Sequence, residues 1–154
     1  MSPEASKLEM RILKYRDYIR RKPDRAYGYY CMGRLMLMSG RYAEAEESFK
    51  KAVSIDNAYA NGAIGLIEYY TARKRLLAAA DCYGRYRSLI DSKRIYVTRM
   101  VRAISSVYAR RIWSRESMNV ISRIRYGIDL YRVKSMHRKE PENTVLNLLL
   151  AVDH

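Results

Sequence analysis

Only two cysteines, Cys31 and Cys82, occur in the 154 residues, and neither has a second thiol or a histidine at ligand spacing. That excludes a disulfide-stapled secreted framework and predicts two free thiols in a reducing compartment. Histidine is as scarce: His137 and His154 stand too far apart for a paired-histidine motif, and His137 reads as a charge at a helix C-terminus. No phosphate-cradling glycine loop is present, because Gly28 to Gly33 lacks the Lys-Ser/Thr that would follow it. Ser105-Ser106 falls in an expected helix, without the sharp turn a nucleophile requires. No catalytic residue, cofactor or metal site is assigned, and the chain is not expected to be an enzyme. Long apolar runs are missing too; Val145 to Val152 is the longest, under half of the ~18 residues that a membrane span needs. Met1-Ser2-Pro3-Glu4 lacks the basic cap and apolar core of a signal peptide, so a cytoplasmic location is expected.

Three prolines and seven glycines leave long uninterrupted stretches, which favour helices. Fifteen tyrosines stand against one Phe and one Trp. A tyrosine ring fills a packing gap while its hydroxyl stays wet, so this excess predicts thin, partly exposed helix interfaces.

Net charge is +14, and its placement is uneven. Residues 94–139 carry twelve basic and two acidic side chains, whereas residues 26–93 carry ten and seven. The Arg-rich face comprises Arg94, Arg99, Arg110, Arg111, Arg115, Arg123, Arg125 and Arg132. Such a face suits nucleic-acid phosphates, an acidic protein or an anionic membrane surface, and a solvated helix face is the plain alternative.

Ser2-Pro3-Glu4 opens a helix whose stripe is Leu8, Ile12, Tyr15 and Ile19, and Pro23 stops it. Asp24 is expected to cap a second helix over 25–38, which ends at Ser39-Gly40. Further helices are expected over 42–54, 58–72, 75–90, 94–111, 115–137 and 144–152, with Ser114 as an N-cap. Within them a pattern returns after 34 residues: Ala26 as Ala60, Met32 as Leu66, Ala45 as Ala79, Phe49 as Tyr83. Small residues recur as small and large apolar ones as large, the mark of stacked units that cannot bury their faces alone.

Tyr29, Met32, Gly33 and Met36, followed by Tyr42, Ala45, Phe49 and Ala52, resemble the tetratricopeptide repeat. The second copy departs from it: Ile67 stands where the first has Gly33, and Lys74 where the first has Gly40. The resemblance implies one all-α domain over 1–154, a right-handed superhelix of about six to seven antiparallel helices. Its expected parts are a half repeat (8–23), two repeats (26–59 and 60–93), a diverged basic helix pair (94–139) and a terminal helix (140–154). The first helix of each unit would line a concave groove through Tyr27, Tyr30 and Arg34, then Asn61, Ile64 and Glu68, then Thr98 and Arg102. The implied function is non-catalytic: a scaffold or adaptor holding a protein or peptide segment, with acidic groups meeting the arginines. Nucleic-acid binding through the Arg-rich face, and a regulatory domain of a larger protein, are the alternatives. Val145 to Val152 is apolar nearly all round, which favours a homodimer through 144–152 or a longer chain over a folded-back cap.

Overall fold

The computed structural model describes residues 3–109 and 120–150. Their order is α1 (Pro3–Arg21), α2 (Ala26–Met38), α3 (Tyr42–Ile55), α4 (Ala60–Ala72), α5 (Leu76–Asp91), α6 (Arg94–Ala109), α7 (Val120–Lys139) and α8 (Thr144–Leu150). Seven of these helices have 13 residues or more, and α8 has seven. The break expected at Trp113-Ser114 lies outside the described residues.

α2 pairs with α3 and α4 with α5, and the first helices α2, α4 and α6 pack side by side. This is an all-α repeat solenoid. The glycines show why the units nest. A Cβ on Gly28 would lie 3.0 Å from Cγ1 of Ile19, and one on Gly62 would lie 3.0 Å from Cγ2 of Val53. Both members of the second pair follow the first by 34 residues, so α1 meets α2 as α3 meets α4. Phe49 is fully buried between α2 and α4, where its ring contributes roughly 1.5–3 kcal/mol. Nearly all of α4 is buried, because α2, α3, α5 and α6 surround it.

The turns follow local chemistry. Gly40 takes a left-handed φ of 73° after α2, and Lys74 takes the same conformation, φ 57°, after α4. Asp56 accepts a hydrogen bond from the Ala58 amide at 2.9 Å, closing the turn after α3. Asn143 accepts one from the Leu146 amide at 3.2 Å and so caps α8. The cap expected at Asp24 is displaced: Arg25 holds the N-cap of α2 with no side-chain hydrogen bond.

The C-terminal part departs from a third hairpin. Among the described residues α7 packs on α5 and α8, and α8 also touches α5 and α6. Leu146 and Leu149 are buried in their own chain. Of the leucines expected to seek a second copy, Leu146 and Leu149 are thus covered intramolecularly, and α8 folds back. Arg87 fastens it, donating to Glu140 at 2.9 Å, while Glu140 accepts from the Asn143 amide at 3.0 Å. Those contacts, Asn143 first and then Arg87, hold the Glu140 carboxyl below its ordinary range.

Candidate functional site

The row of first helices places the expected groove residues on neighbouring elements: Tyr27, Tyr30 and Arg34 on α2, Asn61, Ile64 and Glu68 on α4, Thr98 and Arg102 on α6. Their accessibility differs sharply. Tyr27 is 48% exposed, Tyr30 and Asn61 are half-buried, and Arg34, Thr98 and Arg102 are exposed. Ile64 and Glu68 are covered, at 4% and 3%. These two support the wall instead of presenting a surface, because α2, α3, α5 and α6 all pack on α4 and Arg34 of α2 reaches Glu68.

Two polar contacts tie the row together. Arg34 Nε lies 3.8 Å from the buried Glu68 carboxylate and its Nη1 donates to the Tyr30 hydroxyl at 3.3 Å. Burial opposes the Arg34 charge, but Glu68 and Tyr30 outweigh it and raise the guanidinium pKa further. On the other side of α4, Arg99 Nη1 donates to Asn61 Oδ1 at 2.8 Å. The sequence grouped Arg99 with the Arg-rich face, apart from the groove; it reaches a groove residue.

Aromatic contacts fix the α2 end. Tyr30 meets Tyr59 edge-on with centroids 5.8 Å apart and lies 6.2 Å from Phe49. Burial pushes the Tyr59 phenol up to about 12. Tyr27 meets Tyr15 and Tyr18 of α1 edge-on, at 6.3 and 5.9 Å. Hydrogen bonding to Tyr15 and then to Cys31 raises its phenol well above the tyrosine range. Tyr27 therefore packs on α1 and still exposes half its surface.

Of the Arg-rich face, Arg94, Arg99 and Arg132 are exposed. Arg110, Arg111 and Arg115 lie outside the described residues, as do the side chains of Arg123 and Arg125.

Two surfaces escaped the sequence reading. A groove of about 630 Å³ runs between α3 and α5, floored by Val53, Leu66, Tyr70, Cys82 and Tyr86. A smaller cavity, about 300 Å³, opens on α1 between Lys14, Tyr15, Tyr18, Arg21 and Lys22. Spacing of tyrosines and cations at i, i+4 and i+7 on α1 was the available signal, hidden by reading that helix only for its buried stripe.

Residues 26–59 match the tetratricopeptide repeat. No curated protein matches the chain. No helix among the described residues is long and apolar enough to cross a membrane. The chain is an all-α helical repeat protein, and its unit over 26–59, whose packing is repeated by the helices on either side, is of the tetratricopeptide type.

Proposed function

We propose that the chain is a non-catalytic adaptor that holds a protein or peptide segment along α2, α4 and α6. Tetratricopeptide repeats suggest protein–protein interaction scaffolds, and the observation that supports this site is Tyr27, half exposed at the head of the row. Tyr and Arg dominate interface energetics because they bury much area with little conformational entropy. Tyr27 and Tyr30 supply the apolar contact. Arg102, with Arg99 one turn away, pairs with an acidic side chain of the segment. Arg34 and Asn61, each engaged across the units, keep the wall in register and lower the cost of ordering it on binding.

The test is selection of binders from a displayed library of random peptides, followed by measurement of affinity for Tyr30→Ala and Arg102→Ala chains. Loss of about 1–2 kcal/mol per substitution, with weak salt dependence, is expected. Selected peptides that bind both variants as tightly as the original chain would remove the site from this row.

A further inference from the structure

We propose that the edge formed by α1 and the start of α2 binds a single-stranded nucleic acid, stacking a base on Tyr15 and Tyr18 between cationic side chains. The cavity there, about 300 Å³, is lined by Lys14, Tyr15, Tyr18, Arg21 and Lys22, and no carboxylate lines it. Asp17, the acid nearest in sequence, is already engaged by Arg20 and Arg21. Lys14 and Lys22 make no ion pair among the described residues; the Lys22 ammonium lies over the Tyr18 ring, 5.8 Å from its centroid.

The rings are held in place before any ligand arrives. Tyr18 is wedged against Gly28, where a Cβ would approach its Cδ1 to 2.8 Å, and both rings abut Tyr27 edge-on. A base has a π-face that such rings accept whatever its identity, and backbone phosphates accept from lysine and arginine. Lys14 and Lys22 are separated along α1 by roughly 12 Å, placing unpaired positive charge on both sides of the stacked base. An acidic protein segment would meet the same cations but carries a flat ring only at scattered positions, whereas a single strand repeats a base beside every phosphate. The chain's excess of 14 positive charges supplies the long-range attraction. This site lies beside the peptide row and does not depend on it.

The experiment is fluorescence anisotropy of a labelled single-stranded RNA of mixed sequence with the full chain, from low to physiological salt. The double variant Lys14→Gln/Lys22→Gln, exposed at both positions, should flatten the log–log salt slope by about 1.4, from roughly 0.7 per phosphate contact. Tyr18→Leu should weaken binding about fivefold or more at fixed salt while leaving the slope unchanged. Thermal melts check that each variant is folded. An unchanged slope in the lysine variant, or competition by inorganic polyphosphate as effective per phosphate as the RNA, would overturn the proposal. So would binding lost in Arg99→Gln/Arg102→Gln but kept in the α1 variants, or an RNA displaced more readily by a tyrosine-phosphorylated peptide than by itself.

Discussion

The ring of Phe49 lies directly on Gly65: a Cβ built there would come 2.4 Å from Cε1 and 2.5 Å from Cδ1. The same ring edge also meets Gly33, with Cδ1 and Cε1 both at 2.7 Å from a Cβ there. One aromatic side chain thus closes its own hairpin and the seam to the next unit, tight against a glycine of α2 and a glycine of α4.

Gly65→Ala should therefore destabilise the fold despite the roughly 1 kcal/mol that alanine gains over glycine in a helix. Overpacking costs about 1–3 kcal/mol when the neighbour cannot move. Gly84, with nothing within 4 Å of its Cβ position, is the control: Gly84→Ala should stabilise by up to about 1 kcal/mol. Denaturant melts of both single variants, and of Gly65→Ala combined with Phe49→Leu, check the cause. The combination should recover part of the Gly65→Ala loss, and additive losses would mean the ring is not responsible.

The two turns that end α2 and α4 use one backbone conformation with unequal residues. Gly40 has open space around its Cβ position, so Gly40→Ala meets only the left-handed penalty of about 1–2 kcal/mol. Lys74 already bears that penalty at φ 57°, and Lys74→Gly should move stability the other way by about 0.5–1 kcal/mol. Equal and same-signed shifts in melting temperature would refute the comparison.

How far the fold was readable depended on which contacts a 34-residue comparison aligns. Gly33 and Phe49 announced the first hairpin because they meet within one unit, with Ala45 and Ala52 buried along the same helix as Phe49. Lys74 looked like a departure from Gly40, yet it takes the same φ, since stacking of α4 and α5 imposes the turn on whatever residue stands there. Gly65 was missed. It aligns with Cys31, not Gly33, because the seam between units uses a different face of the first helix from the hairpin itself. The groove residues were placed on the correct helices, but periodicity says nothing about how closely the neighbouring helices pack on α4, and so Ile64 and Glu68 were expected to be open. Arg99 was assigned by charge alone; its bond to Asn61 depends on the approach of two helices distant in sequence. The folding back of α8 was equally invisible, because an all-round apolar helix states that it must be covered without stating by what.

Glu46 should make the stability of the junction between α3 and the α4–α5 unit pH-dependent. Its carboxylate accepts from the Tyr69 hydroxyl at 2.7 Å, pairs with Lys50 at 2.8 Å, and lies 3.7 Å from Arg75. Burial disfavours the charge, but the hydrogen bonds from Lys50 and Tyr69 and the Arg75 charge win, and the carboxyl pKa falls below its ordinary value. A depressed folded-state pKa gives stability that is full above the unfolded value, about 4.3, and lost as pH falls through the folded one. Glu46→Gln should cost on the order of 1 kcal/mol at neutral pH and less as the pH approaches 3. Urea melts at pH 7, 5, 4 and 3 test this; a difference between the two chains that grows on acidification would reject the assignment. At the alkaline end the sign reverses in kind. Burial first, then hydrogen bonding to Glu46 and Asp91 respectively, pushes the Tyr69 and Tyr83 phenols up to about 12, so stability should decline from about pH 10 upward.

The two thiols should differ in reactivity by far more than their shared helical setting suggests. Cys82 is 8% exposed on α5, lies 3.8 Å from the Ala63 carbonyl oxygen, and burial pushes its pKa up to about 12. Thiolate, the reacting species, is therefore scarce there at neutral pH, and only a small part of the residue is open to the α3–α5 groove that it lines. Cys31 is only half-buried, next to Tyr27 at the open end of the row. In the native chain a charged disulfide reagent should label one thiol per molecule quickly, and mass spectrometry should place it at Cys31. Cys82 should react only through opening of the α4–α5 hairpin, so its rate should rise with denaturant while that of Cys31 changes little. A ligand seated on Tyr27 should slow labelling of Cys31 alone. Equal native rates at both positions would show that α5 does not shield its thiol, and that the α3–α5 groove is more open than its packing implies.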